Sequence, residues 1–322
     1  MRSSFLAIVL AATTSFAAGT PLVGAGVGNA DSLVSEGTKL YNQKKYARAG
    51  ELFLQANRAS PSTLPTYLQL ARSVLAAKQI SRACYVYRVY LKAAPESPDR
   101  KKAQAESEQC ERQARTAKGQ PPDLSQKYVE TRAAFYAALD QNAVVGPGSA
   151  YEQLSTLVKD GYLSPDLGDM AAKLGAAALS KADEIHKAAL ANEKMSLERL
   201  RSARPLYQVA ADVGATPADQ KARTAFLDGL AALQEKDFKK AEALFTEASR
   251  ADSANTEYVF YQGLSLVQGG DRAGALKVLD TRLKEDPRTR VLRAAHALGN
   301  SPEDGAAELE RLLFSTRYPP EK

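Results

Sequence analysis

The chain repeats itself every 34 residues near both of its ends. Gly37 is matched by Ala71, Ala49 by Ala83, Phe53 by Tyr87, Ala56 by Tyr90 and Pro61 by Pro95. Toward the C-terminus Gly229 is matched by Gly263, Ala241 by Ala275, Phe245 by Leu279 and Ser253 by Pro287. A period of this length means one small unit that cannot bury its apolar face alone and stacks on copies of itself. Ala, Leu, Lys, Glu, Gln and Arg dominate, and apolar residues recur at three- and four-residue steps with Pro, Gly, Ser or Asp between runs. That pattern gives helices, two short antiparallel ones per unit. A small residue at the eighth position (Gly37, Ala71, Gly229, Gly263) and another at the twentieth (Ala49, Ala83, Ala241, Ala275) let the two helices approach. A large residue at the twenty-fourth fills the space beside them. Proline closes units because it cannot continue a helix.

These residues resemble the tetratricopeptide repeat, TPR. The first unit shows Gly37, Tyr46, Ala49, Phe53, Ala56 and Pro61 at the family's positions, and the unit ending at Pro287 adds Gly270 in its inter-helix turn. Four units fit, at 30–63, 64–97, 222–255 and 256–289. Tyr90, Arg282 and Ser253 depart from the pattern. The resemblance implies an all-α helical-hairpin solenoid whose first helices line a concave groove for a protein or peptide partner. Carried over by position, that groove holds Thr38, Tyr41, Asn42 and Arg72 in the first block, and Arg223, Phe226, Leu230, Gln234, Phe260, Leu264 and Gln268 in the second. The family's carboxylate clamp for chaperone tails needs Lys and Asn at set positions. Val34 and Thr38 stand at two of these, so that function is not implied.

The two blocks are out of register, since Ala83 and Ala241 lie 158 residues apart. The middle must therefore hold irregular helices, expected near 124–141, 148–160, 166–192 and 195–213. The expected organisation is a leader over 1–30, an N-terminal TPR block with a capping helix over 31–119, irregular or degenerate-repeat helices over 120–220, and a C-terminal TPR block with capping helices over 221–322. Residues 290–316 read as the final cap. The sequence leaves open whether this makes one continuous solenoid or two lobes joined by a spacer.

Arg2 is the only charged residue before Asp31, and an apolar run follows it from Phe5 to Ala12. Small residues then offer two cleavage patterns, Ser15-Phe16-Ala17 and Gly28-Asn29-Ala30. This is the order of a secretory signal peptide. Pro21 and the glycines at 19, 24, 26 and 28 weigh against an uncleaved membrane anchor. The expected location is periplasmic or extracellular, with no membrane span in the mature chain.

Little else suggests chemistry. The net charge of +6 over 322 residues is too dilute to argue for nucleic acid. Phosphate-binding loops, nucleophile elbows and metalloprotease motifs do not appear in the sequence. His186 and His296 have no partner at ligand spacing and read as packing or surface residues. Gly146-Pro147-Gly148 reads as a turn, and Glu106 and Glu108 as solvated helix positions. Cys84 and Cys110 are expected to meet, because the helix carrying Cys110 packs back on the helix carrying Cys84. The pair reads either as a disulfide of an oxidising compartment or as two buried thiols. No cofactor, metal or catalytic residue is expected. The leading expectation is an exported scaffold that binds protein partners without catalysis. The alternative is an assembly or trafficking factor for outer-membrane or secretion machinery that recognises extended client segments.

Overall fold

The computed structural model describes residues 22–23, 27–116, 125–284, 286–290 and 293. Most of the expected leader, the linker at 117–124, His296 and nearly all of the expected final cap lie outside the described residues.

The described residues form thirteen helices, a further helical stretch at 287–290, and no strand. The N-terminal part comprises α1 (Val27–Asn42), α2 (Tyr46–Ala59), α3 (Leu64–Ala76), α4 (Ile80–Ala93) and α5 (Arg100–Thr116). Then come α6 (Ser125–Asp140), α7 (Ala150–Lys159), α8 (Leu167–Leu190) and α9 (Leu197–Asp212). The chain ends its described helices with α10 (Gln220–Gln234), α11 (Phe238–Ala251), α12 (Thr256–Gln268) and α13 (Arg272–Arg282). The helices pair as antiparallel hairpins, α1–α2, α3–α4, α6–α7, α8–α9, α10–α11 and α12–α13. The protein is an all-α, TPR-like solenoid.

The spacing of small and large residues explains the hairpins. Phe53 lies on Gly37, Phe245 on Gly229 and Leu279 on Gly263. A Cβ added at Gly229 would meet the Phe245 ring at 2.6 Å, and one at Gly263 would meet Leu279 at 2.7 Å. Ala49, Ala83, Ala241 and Ala275 are fully buried where the helices cross. Side chains start several helices: Ser149, Ser196, Asp237, Asn255 and Asp271 each accept a bond from a backbone N–H in the first turn.

Each hairpin has a residue in the left-handed region just past its first helix: Lys44, Lys78, Asn142, Asn192, Lys236 and Gly270. Its N–H bonds the carbonyl three residues back, and the next N–H bonds the one five back, as in Lys44 to Tyr41 at 2.9 Å and Lys45 to Leu40 at 3.0 Å. This is the Schellman ending of a helix. These turns also measure the repeat. They are 34 residues apart from Lys44 to Lys78 and from Lys236 to Gly270, but 50 from Asn142 to Asn192 and 44 from Asn192 to Lys236. The middle hairpins are therefore longer versions of the same unit, which is why the 34-residue period fails there. Their four helices lie within two residues of the expected bounds at every end.

Two cores result. One lies within α2–α5 and takes in Leu163 from the α7–α8 connection. The other runs without a break from Tyr128 on α6 to Leu283 after α13. The middle helices thus belong with the C-terminal units, because Leu200, Ala203, Leu206 and Tyr207 of α9 share a core with Ala222, Ala225 and Phe226 of α10. The boundary drawn at 220/221 from the loss of the period is not a boundary of packing.

Candidate functional site

The first helices of the N-terminal units line an open groove of about 880 Å³. Tyr41 on α1, Arg72, Leu75 and Ala76 on α3, and Lys102, Glu106, Gln109 and Gln113 on α5 form its walls. Ile80 and Tyr87 of α4 lie at its base, and Lys78 in the α3–α4 turn stands at one end. The 34-residue period places these residues side by side. Arg72 and Glu106 occupy the same position in successive units, and Arg72 donates from Nε at 2.9 Å and Nη2 at 3.1 Å to the Glu106 carboxylate. The Tyr87 hydroxyl donates to the same carboxylate at 3.1 Å. Burial first, and then the Glu106 charge, push the Tyr87 hydroxyl well above the ordinary tyrosine range.

Of the residues expected in the first block, Tyr41 and Arg72 line this groove. Thr38 turns its hydroxyl onto the Val34 carbonyl at 2.8 Å, and Asn42 is exposed at the end of α1. Glu106 was expected to be a solvated position and is instead half-buried in the groove wall. Its signal was available in the sequence, an opposite charge one period after Arg72.

The second block is different. Phe226 and Phe260 are fully buried and Leu264 is 5% exposed, so they do not offer an open apolar groove. The Phe226 ring packs against His186, Phe245, Tyr258 and Tyr261 at centroid distances of 4.9–5.9 Å. The Phe260 ring is covered by the Arg288 guanidinium at 4.1 Å, which Glu257 and Asp286 hold in place. Arg223 is clasped by Asp183 at 2.5 Å and Asp219 at 2.8 Å. Gln234 donates to the Met195 carbonyl at 2.9 Å, while Leu230 and Gln268 are half-buried. The physical cause is the length of α8. Its last turns and the following loop run beside α10, pairing Asp183 with Arg223, His186 with Phe226 and Met195 with Gln234. They consume the face that the resemblance had assigned to a partner.

A second cleft, of about 780 Å³, lies between α9, α10 and α11. Ala225 and Asp228 of α10 are among the residues that line it. Its charges are largely spent on each other: Arg201 pairs with Glu235, Arg204 with Asp228 at 3.4 Å, and Lys221 with Glu247 at 3.2 Å.

Cys84 and Cys110 form a disulfide, with Cα atoms 5.6 Å apart, beneath the α5 wall of the N-terminal groove. Among the described residues no group of three His, Cys, Asp or Glu is placed to hold a metal ion, and no helix is long and apolar enough to cross a membrane.

No protein-family model matches the chain, and no curated protein matches it. Among solved structures, the complex of the TPR2AB domain of yeast Sti1 with pHSP90 is similar at 14% identity, over 87% of this chain and 98% of that one, with a TM-score of 0.26. A similarity that low adds nothing about function. The TPR-like character rests on the chain's own hairpins, their period and their packing.

Proposed function

We propose that the protein is a scaffold that binds protein partners in the groove of α1, α3 and α5, through shape and charge and without covalent chemistry. The observation that carries this reading is the contrast between the two concave faces. The C-terminal face is filled by the chain's own side chains, whereas the N-terminal face keeps Tyr41, Leu75, Ala76, Lys78 and Lys102 along an open groove. A solenoid face left open in this way suits a helix or an extended peptide.

A photo-crosslinking residue in place of Gln109, compared with one in place of exposed Arg88 on α4 outside the groove, tests it in native envelopes. A discrete protein adduct from position 109, absent from position 88, is the expected result. Equal adducts from both positions would sink the groove assignment. Broad, heterogeneous adducts from position 109 would favour the client-binding alternative.

The same reading places the protein outside the cytoplasm. The leader-like segment and the Cys84–Cys110 pair support it, since disulfides persist in oxidising compartments. Of the two cleavage patterns the earlier one fits better. Leu22 donates its N–H to the Asp212 carbonyl at 2.5 Å, and Val23 is 1% exposed in the larger core. A cut after Ala17 keeps that contact, whereas a cut after Ala30 removes it together with the first turn of α1. The intact mass of the exported protein should correspond to a chain beginning at Ala18. A chain beginning at Asp31 would reverse the choice.

A further inference from the structure

The charges along the N-terminal groove say what kind of segment it takes. Arg72 and Glu106 satisfy one another and leave no net charge between them. Lys78 and Lys102 are both exposed, both line the groove, and have no carboxylate within ion-pair distance among the described residues. Lys78 is held by the turn itself, where its N–H bonds the Leu75 carbonyl at 2.9 Å.

The register fixes how far apart the two cations are. Arg72 faces Glu106 across two parallel helices. Lys102 comes four residues before Glu106, and Lys78 six residues after Arg72. At a rise of 1.5 Å per residue they stand roughly 15 Å apart along the groove. Between them lie the mutually neutral Arg72–Glu106 pair and Tyr87, with Leu75, Ala76 and Ile80 toward Lys78, while Gln109 and Gln113 on the α5 wall bring side-chain amides that can both donate and accept.

Resting on the function proposed above, we propose that the groove takes an extended internal protein segment with two acidic side chains four residues apart. In an extended chain, residues i, i+2 and i+4 point to one side, and i and i+4 are about 13 Å apart. That spacing sets one carboxylate near each lysine and carries the middle of the segment over the neutral Arg72–Glu106 pair and Tyr87. The glutamines face the peptide backbone, whose N–H and C=O groups need partners when covered.

The test is selection of random peptides of about 12 residues, displayed as internal fusions so that no free C-terminal carboxylate is present. Baits are the full chain, a Lys78→Glu, Lys102→Glu variant, and an Ala76→Trp variant that fills the groove, each checked for native helicity. The expected outcome is enrichment of Asp or Glu at i and i+4, with affinity about tenfold lower for the charge-reversed protein, as loss of two exposed ion pairs implies. Selected peptides without the acidic pair, or ones that bind the charge-reversed protein equally well, would overturn this inference and leave the groove standing. Peptides that bind the Ala76→Trp variant as well as the wild type, or no selection at all, would instead strike the scaffold reading.

Discussion

His186 shows how one buried residue ties three units together. It sits on α8, 7% exposed, with Nε2 3.0 Å from the Tyr258 hydroxyl of α12 and its ring edge-on to Phe226 of α10. Desolvation, and then the Arg223 charge, lower its pKa to about 4 from 6.5, against the pull of Asp183, Asp219 and Asp252. A folded pKa below the unfolded one favours protonation of the unfolded chain. The stabilisation is therefore complete above pH 6.5 and is lost as pH falls toward 4. Over that window the loss is about 3 kcal/mol. His186→Gln keeps a hydrogen-bonding group and removes the titration. Urea melts between pH 7 and pH 5 should show wild-type stability falling by 1–2 kcal/mol (about half the window) more than that of the variant; parallel curves would refute the assignment. The sequence suggested packing for His186 but could not show its partner, because Tyr258 lies 72 residues away across an intervening unit. Glu106 was legible in principle, since its partner lies one period away.

At the scale of elements, α5 is the exception among the first helices. Each of the other first helices has a second helix packed back on it. The chain leaves α5 through 117–124 and enters the other core at α6. Only Ala103, Ser107 and Cys110 of its seventeen residues are buried. The disulfide to Cys84 and the Arg72–Glu106–Tyr87 cluster stand in for the missing helix. By the loop-entropy model a crosslink over 26 residues contributes roughly 3–4 kcal/mol. Reduction should therefore loosen α5 first. Hydrogen exchange with reductant present is expected to rise at least tenfold across 100–116 while α1–α3 stay protected, and the groove should bind less well because it loses a wall. Protection of α5 unchanged by reduction would show that the ion cluster alone suffices. The hairpins were readable because their Gly and Ala positions record close packing. The occupied C-terminal face was not, because it depends on how α8 docks against another unit, setting Asp183 beside Arg223 and His186 beside Phe226, each 40 residues away. The length of α8 was readable, but no local pattern states that pairing.

For the whole molecule, the open question is whether two cores behave as one body. The joint between them is small and specific. Tyr85 of α4 donates its hydroxyl to the Leu163 carbonyl at 3.2 Å and accepts the Leu163 N–H at 3.1 Å, while the Leu163 side chain is buried in the N-terminal core. Arg58 of α2 donates to the Val158 carbonyl at 2.5 Å, and the Tyr85, Tyr128 and Tyr162 rings pack in series, tilted and then edge-on, with centroids 5.4 and 5.3 Å apart. Burial drives the Tyr85 hydroxyl well above the ordinary tyrosine range, so it stays protonated and able to donate across the accessible pH range. Removing that hydroxyl leaves two backbone groups of Leu163 without their partner, at about 1–3 kcal/mol, and shortening Leu163 adds about 2–5 kcal/mol. The first loss falls on the joint alone, and the second on the joint and the part of the N-terminal core that Leu163 fills. Wild type should therefore melt in one calorimetric transition, and Tyr85→Phe with Leu163→Ala should split it in two. Only the transition of the N-terminal core should then move on reduction, because the disulfide lies there. A double variant that still melts in one transition would mean that the lobes are coupled through contacts other than this joint, and that the groove and the closed C-terminal face share a single folding unit.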